Sequence, residues 1–283
     1  MVKEERGWTL EIKPKAGLFD LHLNELWRYK DLIALFVRRD FLANYKQTIL
    51  GPLWFLIQPV LTTLMFYLIF SKVAKIKIEG VPPIVFYLCG LTCWNYFSAC
   101  VNKTSNIFSN NSQIFGKVYF PRLAVPVSII LSTLITFSIQ FALLLTIMLL
   151  FAMNGTTFSP NAYMLLLPFL LLLLSGLSLG TGIIFSSLTI KYKDFGHLIT
   201  FGLQLGMYAT PIIYPLTLVP SQYKVFVLLN PVTSIVEAFR YSIMGVGSIN
   251  TGGLIYSTLF TFISLGIGAL VFSKAEKNFM DVV

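Results

Sequence analysis

Five stretches of this sequence carry no Asp, Glu, Lys or Arg: Gln47 to Ser71, Gly80 to Asn102, Leu123 to Ile190, Phe195 to Tyr223 and Tyr241 to Ser273. An ionised side chain at mid-bilayer costs about 2.5–3.5 kcal/mol even on lenient insertion scales, so windows this long mark membrane spans. The third window holds 68 residues, more than double the ~20 needed to cross the hydrocarbon. Asn154-Gly155-Thr156-Thr157-Phe158-Ser159-Pro160 supplies a turn in its middle, so the windows predict six spans. Hydrophobic residues make up 56% of the chain and charged residues 12%, with a mean hydropathy of +0.76. A water-soluble fold with a charged surface is excluded.

Orientation follows from Lys and Arg. Nine of them precede the first span, Arg38, Arg39 and Lys46 closest to it, and such clusters are retained in the cytoplasm. With six spans both termini are then cytoplasmic, and sixteen Lys and Arg fall inside against five outside. The cluster Lys72, Lys75 and Lys77 is the exception, because it would lie outside. No cleavable signal peptide is expected, since residues 1–20 are polar and charged and Trp8 to Ile12 is too short for an apolar h-region.

From about Leu21 to Tyr45 the pattern predicts a helix with Leu26, Tyr29, Ile33, Phe36 and Val37 on one face and Arg28, Asp31, Arg38 and Arg39 largely opposite. Such a helix before a span suits the plane of the cytoplasmic interface, with a charged cytosolic linker as the alternative. The fold class is therefore an all-α integral membrane protein of six transmembrane helices with an N-terminal amphipathic interfacial helix. Re-entrant outer helices are expected between spans five and six, because Tyr223 to Leu229 and Val232 to Met244 are separated by Asn230-Pro231. Residues 1–46 form the tail and interfacial helix, and 47–283 the transmembrane domain. That domain carries a cytoplasmic connection at 103–122 and an outer one at 220–253.

The chemistry expected is that of passage rather than reaction. No ionisable side chain lies well inside a predicted span, so no proton relay is expected; sodium coupling through unwound backbone stays open. His22 and His197 have no acid, Ser or Cys constellation near them, and Gly116-Lys117 lacks the spacing of a phosphate-cradling loop. Catalytic residues: none; metal ligands: none. Cys89, Cys93 and Cys100 share one apolar segment and read as packing residues. The basic charge of +9 belongs to span ends, and no nucleic-acid partner is expected. Gly176, Ser178, Gly180 and Gly182, and Gly202 with Gly206, form small-xxx-small pairs that point to close helix packing. Pro211 and Pro215 should break the fifth span near the outside. Glu237 and Arg240, three apart, should form a local pair. Phe66, Tyr67, Trp94, Tyr96, Phe97, Phe137 and Tyr208 are candidate channel-lining rings, since aromatic faces take up sugars without a fixed site; packing against lipid is the alternative.

Several segments resemble a known family. They are Leu26-Trp27-Arg28-Tyr29-Lys30-Asp31-Leu32, Val37-Arg38-Arg39-Asp40, Tyr45-Lys46-Gln47-Thr48-Ile49-Leu50-Gly51-Pro52-Leu53-Trp54, Gln58-Pro59 and Lys117-Val118-Tyr119-Phe120-Pro121-Arg122-Leu123. In this order on a six-span layout they look like the permease subunits of ABC exporters for O-antigen, capsule and teichoic acid. The resemblance implies a non-enzymatic homodimer in the bacterial inner membrane with two ATP-binding cassette subunits. ATP and Mg would sit on those partners, with no cofactor in this chain. It implies a polysaccharide on undecaprenyl diphosphate as substrate. It also implies a coupling element from Ile107 to Phe120, with Ile107, Phe108, Phe115, Tyr119 and Arg122 as contact candidates. An outer gate would involve Pro211, Pro215, Pro231, Glu237 and Arg240. Arg38, Arg39 and Lys46 would meet the diphosphate, or else orient the chain and anchor it to anionic membrane lipids. An exporter of the same fold for a drug or small lipid is the runner-up, and an intramembrane enzyme of glycan-lipid assembly comes third.

Overall fold

The computed structural model describes residues 27–43, 48–115, 120–159, 161–192 and 194–282, the stretch from 275 by its backbone alone. Among these residues all regular structure is helical. The helices are α1 (Lys30–Ala43), α2 (Trp54–Phe66), α3 (Pro83–Ser105), α4 (Ile107–Asn110), α5 (Ser112–Phe115), α6 (Ala124–Met153), α7 (Leu167–Lys191), α8 (Asp194–Ala209), α9 (Ser221–Leu229), α10 (Pro231–Met244) and α11 (Thr251–Val282).

Among the described residues five helical stretches are long and apolar enough to cross a membrane: Gly51–Val73, Pro83–Ser105, Ala124–Met153, Ala162–Lys191 and Thr251–Lys274. They coincide with the charge-free windows, and the 68-residue window divides at the turn following Met153, as its Asn-Gly pair predicts. The fifth expected span takes a shorter form. Its helix α8 has 16 residues and stops at Ala209, directly before Thr210-Pro211.

Helix α3 is the hub. Of its window 78% is buried, against 17–28% for the other four, and it is also the least apolar of the five: the more apolar helices are the ones left to face lipid, while the more polar one is enclosed by protein. It packs against α7, α6, α2, α8 and α10. Cys89, Cys93 and Cys100 are fully enclosed in this contact as free thiols, which makes them the packing residues expected.

Small residues set the closest approaches. A Cβ on Gly180 would lie 2.6–2.8 Å from Ser264 and the Leu265 amide of α11, and one on Gly182 would lie 2.7 Å from Thr104 of α3. The glycine run of α7 thus lets two neighbours reach its backbone. In α8 the paired expectation divides. Gly206 meets Trp94, whereas a Cβ on Gly202 would find nothing within 4 Å among the described residues.

A second, smaller core sits beside the α3 end that carries Ser105. It joins Phe36 of α1 to Ile107, Phe108, Phe115, Phe120, Ala124, Val125 and Phe272. Helix α1 lies along α6 with Tyr29, Ile33 and Phe36 turned inward, so the amphipathic pattern correctly identified its covered face. The ends of the expected helix, residues 21–26 with Leu26 of the apolar face and residues 44–45, lie outside the described residues.

The prolines of the outer connection act where expected. Helices α9 and α10 meet at Asn230-Pro231, and Asn230 caps α10 by accepting the Val232 N–H at 3.1 Å. Helix α10 ends at Gly245, whose φ of +73° suits glycine and whose Cβ would lie 2.8 Å from the Ser159 carbonyl oxygen. While α9 has no buried residue, α10 is buried along almost its whole length.

Candidate functional site

A cleft of about 400 Å³ opens between α2, α3 and α6. One wall is the start of α2, with Trp54, Phe55, Gln58 and Pro59. The facing wall is the second half of α3, with Asn95, Tyr96, Ser98, Ala99, Asn102 and Lys103, and α6 closes it with Thr133, Thr136, Phe137 and Gln140. Because α2 begins and α3 ends at the same side of the molecule, the cleft runs from that side toward the middle of both helices.

Four amides, three hydroxyls and one ammonium converge here among four aromatic rings. Asn95 Nδ2 donates to Gln140 Oε1 at 3.3 Å, joining α3 to α6, and Asn102 Nδ2 donates to Thr200 Oγ1 of α8 at 2.7 Å. Thr133 Oγ1 is buried against the Cys100 thiol. Lys103 is half-buried, and the cleft lining contains no carboxylate. Polar walls with aromatic floors are what a hydroxyl-rich ligand needs: amides give and accept hydrogen bonds, and rings cover C–H faces.

The charge-free windows pass over this site because amides do not ionise. Gln58, Asn95, Asn102 and Gln140 are the signal that was available, four hydrogen-bonding side chains inside apolar windows.

A second polar centre holds the broken end of α8. Arg240 of α10 is 1% exposed. Its Nη1 donates to the Pro211 carbonyl and to Glu237 Oε1 at 3.0 Å, its Nη2 donates to the Ile212 carbonyl at 2.9 Å, and its guanidinium lies 3.7 Å from the Phe86 ring centroid. The prolines explain the docking. A helix continuing through this point would pair the residue 215 N–H with the residue 211 carbonyl, and Pro215 has no N–H to give. Arg240 supplies the missing donor. Burial pushes the Glu237 carboxyl up, and Arg240 beside it pulls it back toward its ordinary range. The Glu237–Arg240 pair was expected from its spacing; its burial and its reach to α8 and α3 were not. Gly90 of α3 makes room for it, since a Cβ there would clash with Arg240 Nη2.

The candidate rings occupy several environments, and of them Tyr96 and Phe137 line the cleft. Phe66 packs edge-on against Phe70 and Tyr87 at 5.6 and 6.2 Å between centroids. Tyr67 lies under the Lys72 ammonium at 5.5 Å. Trp94 and Phe97 pack together at 5.4 Å and are nearly buried, whereas Tyr208 is 53% exposed.

The residues of the connection after α3 also divide. Ile107, Phe108 and Phe115 are 0%, 1% and 3% exposed and build the second core, and Arg122 stands over the Phe115 ring at 5.8 Å. The outward side chains of α4 and α5 are Ser109, Asn110 and Gln113. Tyr119 lies outside the described residues.

Of the basic residues before the first span, Arg39 is committed internally: it pairs with Asp40 at 2.8 Å, reaches Asn111 Oδ1 at 3.4 Å and lies 4.8 Å over Phe36. Arg38 is exposed on the rim of an apolar groove of about 800 Å³ between α1 and α6, with Lys30 beside it. Lys46 lies outside the described residues.

Residues 31–244, from α1 through α10, match the ABC-2 type transporter family. The chain belongs to that family. Among its relatives, an O-antigen export system permease protein of Klebsiella pneumoniae is 25% identical over 89% of this chain and 95% of its own length. An O-antigen export system permease protein of Myxococcus xanthus is 27% identical over 77% of this chain and 82% of its own. A polysialic acid transport protein of Escherichia coli is 28% identical over 86% and 93%. Both centres, the cleft and the Arg240 contact, lie within the span matched to ABC-2 type transporters.

Proposed function

We propose that this chain is the membrane-spanning subunit of an ABC exporter that carries a polysaccharide on undecaprenyl diphosphate across the bacterial inner membrane. Two copies act with two ATP-binding cassette subunits, and those subunits bind ATP and Mg and hydrolyse the nucleotide. The observation that carries this reading is the family match across α1 to α10, with relatives named for O-antigen export and polysialic acid transport. A cleft of amides, hydroxyls and rings among apolar helices supports a saccharide cargo over a drug or small lipid.

In this reading both termini and the pair α4–α5 face the cytoplasm. The ATPase subunit meets Ser109, Asn110 and Gln113, the outward side chains of that pair, while Ile107, Phe108 and Phe115 transmit the motion as a packed core. Arg38, exposed beside Lys30, meets the lipid diphosphate at the membrane surface, with Lys46 a further candidate. Helices α9 and α10, with Pro211, Pro215 and Pro231, form the outer gate, and the Glu237–Arg240 contact fixes α10 to the end of α8. Tyr208 contributes to the translocation path from the exposed side of α8.

The test is deletion of the gene followed by analysis of membrane lipids. Finished lipid-linked polymer retained inside the cell is the expected outcome. Incomplete polymer would point to a synthetic role, and normal surface polymer with altered drug or lipid efflux would point to the other class of cargo.

A further inference from the structure

Resting on the export reading, we infer that the cleft between α2, α3 and α6 is a binding site for a saccharide that carries an anionic group, with Lys103 holding the anion. Three observations converge on this assignment. The volume of about 400 Å³ falls in the range of small-ligand sites. Among the described residues lining it Lys103 is the one charged side chain, half-buried, with no ion pair to a described residue and no carboxylate in the lining. Around it Gln58 and Asn102 offer hydrogen-bonding groups.

A structural explanation for the lysine covers only part of this. Lys103 stands in the last turn of α3, where a cation complements the helix dipole. That placement is satisfied equally by a lysine turned to the aqueous side; Asn95 with Gln140, and Asn102 with Thr200, also join helices, which leaves Gln58 as the cleft amide with no side-chain partner among the described residues. An apolar helix contact needs none of these amides, and buried polar groups without full partners carry a cost. A ligand with one negative group and several hydroxyls would satisfy both the ammonium and the amides, with Trp54 presenting a ring to a sugar face.

Two sources share this chemistry: the sugar–phosphate end of a lipid-linked saccharide, and an acidic sugar within a polymer. The experiment uses the full chain in phosphatidylcholine nanodiscs, titrated calorimetrically with three probes. These are a short-chain polyprenyl diphosphate disaccharide, an oligosaccharide of carboxylated sugars, and a neutral oligosaccharide of the same length. The anionic probes bind more tightly than the neutral one. Lys103→Gln weakens them at least tenfold, as loss of a charge-assisted hydrogen bond requires. Lys103→Arg restores most of the loss, and Gln140→Leu weakens binding with Lys103 intact. Response of the diphosphate probe alone assigns the lipid-linked end; response of the carboxylated probe alone assigns the polymer. Equal binding of all three probes, or unchanged binding in Lys103→Gln with an unchanged unfolding temperature, overturns the site. Titration in phosphatidylglycerol nanodiscs adds a second check, because abolished probe binding there would reassign the cleft to a phospholipid headgroup and overturn the proposal. The deletion phenotype tests export without reference to Lys103, so failure of the site and failure of the export reading are distinguishable.

Discussion

Arg240 concentrates more consequence than any other single side chain. It is a buried cation whose carboxylate partner lies on its own helix and whose carbonyl partners lie on the broken end of α8. Removing one member of such a set leaves the others buried and unpaired, at a cost of about 3–5 kcal/mol. Arg240→Met should therefore lower the thermal unfolding midpoint in detergent strongly, and Arg240→Met with Glu237→Gln should recover only part of the loss, because the Pro211 and Ile212 carbonyls remain without their donor. Gly90 provides a second route to the same centre. Gly90→Ala should displace the guanidinium, and its destabilisation should be smaller in the Arg240→Met background than in the wild type, a coupling measurable by a double-mutant cycle.

Among the elements, α7 shows how small residues become architecture. Gly180 admits the backbone of Ser264 and Leu265, so Gly180→Val should abolish the folded yield in detergent-solubilised membranes, whereas Gly202→Val should leave the subunit folded. If native mass measurement finds the wild type as the proposed homodimer, a folded Gly202→Val protein that stays monomeric would locate the second copy against α8. The α4–α5 pair makes the complementary point. Phe108→Ala removes a ring from a closed core and should cost about 3–5 kcal/mol in unfolding. Asn110→Glu and Gln113→Glu, on the exposed side, should leave the unfolding midpoint unchanged while reducing co-purification of the ATPase subunit.

For the molecule as a whole, the enclosed thiols supply a direct test of topology. Cys89, Cys93 and Cys100 are each 0% exposed, so a membrane-impermeant maleimide should ignore the wild-type folded protein. Asn110→Cys should then label only from the cytoplasmic side and Lys224→Cys only from the outside; labelling of both from one side would refute the six-span arrangement. The sequence alone settled the class of molecule, the apolar stretches that hold the long helices, the turn after Met153, most of the inward face of α1 and the break at Asn230-Pro231. These follow from chemistry that is local along the chain: the cost of charge in hydrocarbon, the 3.6-residue period, and the missing N–H of proline. Only the tertiary structure decided that Ile107, Phe108 and Phe115 point inward, that Gln58, Asn95, Asn102 and Gln140 share a cleft with Lys103, and that Arg240 completes the end of α8. In each case the partners are distant in sequence, and a side chain's environment is set by which helices meet, something no pattern within one helix encodes.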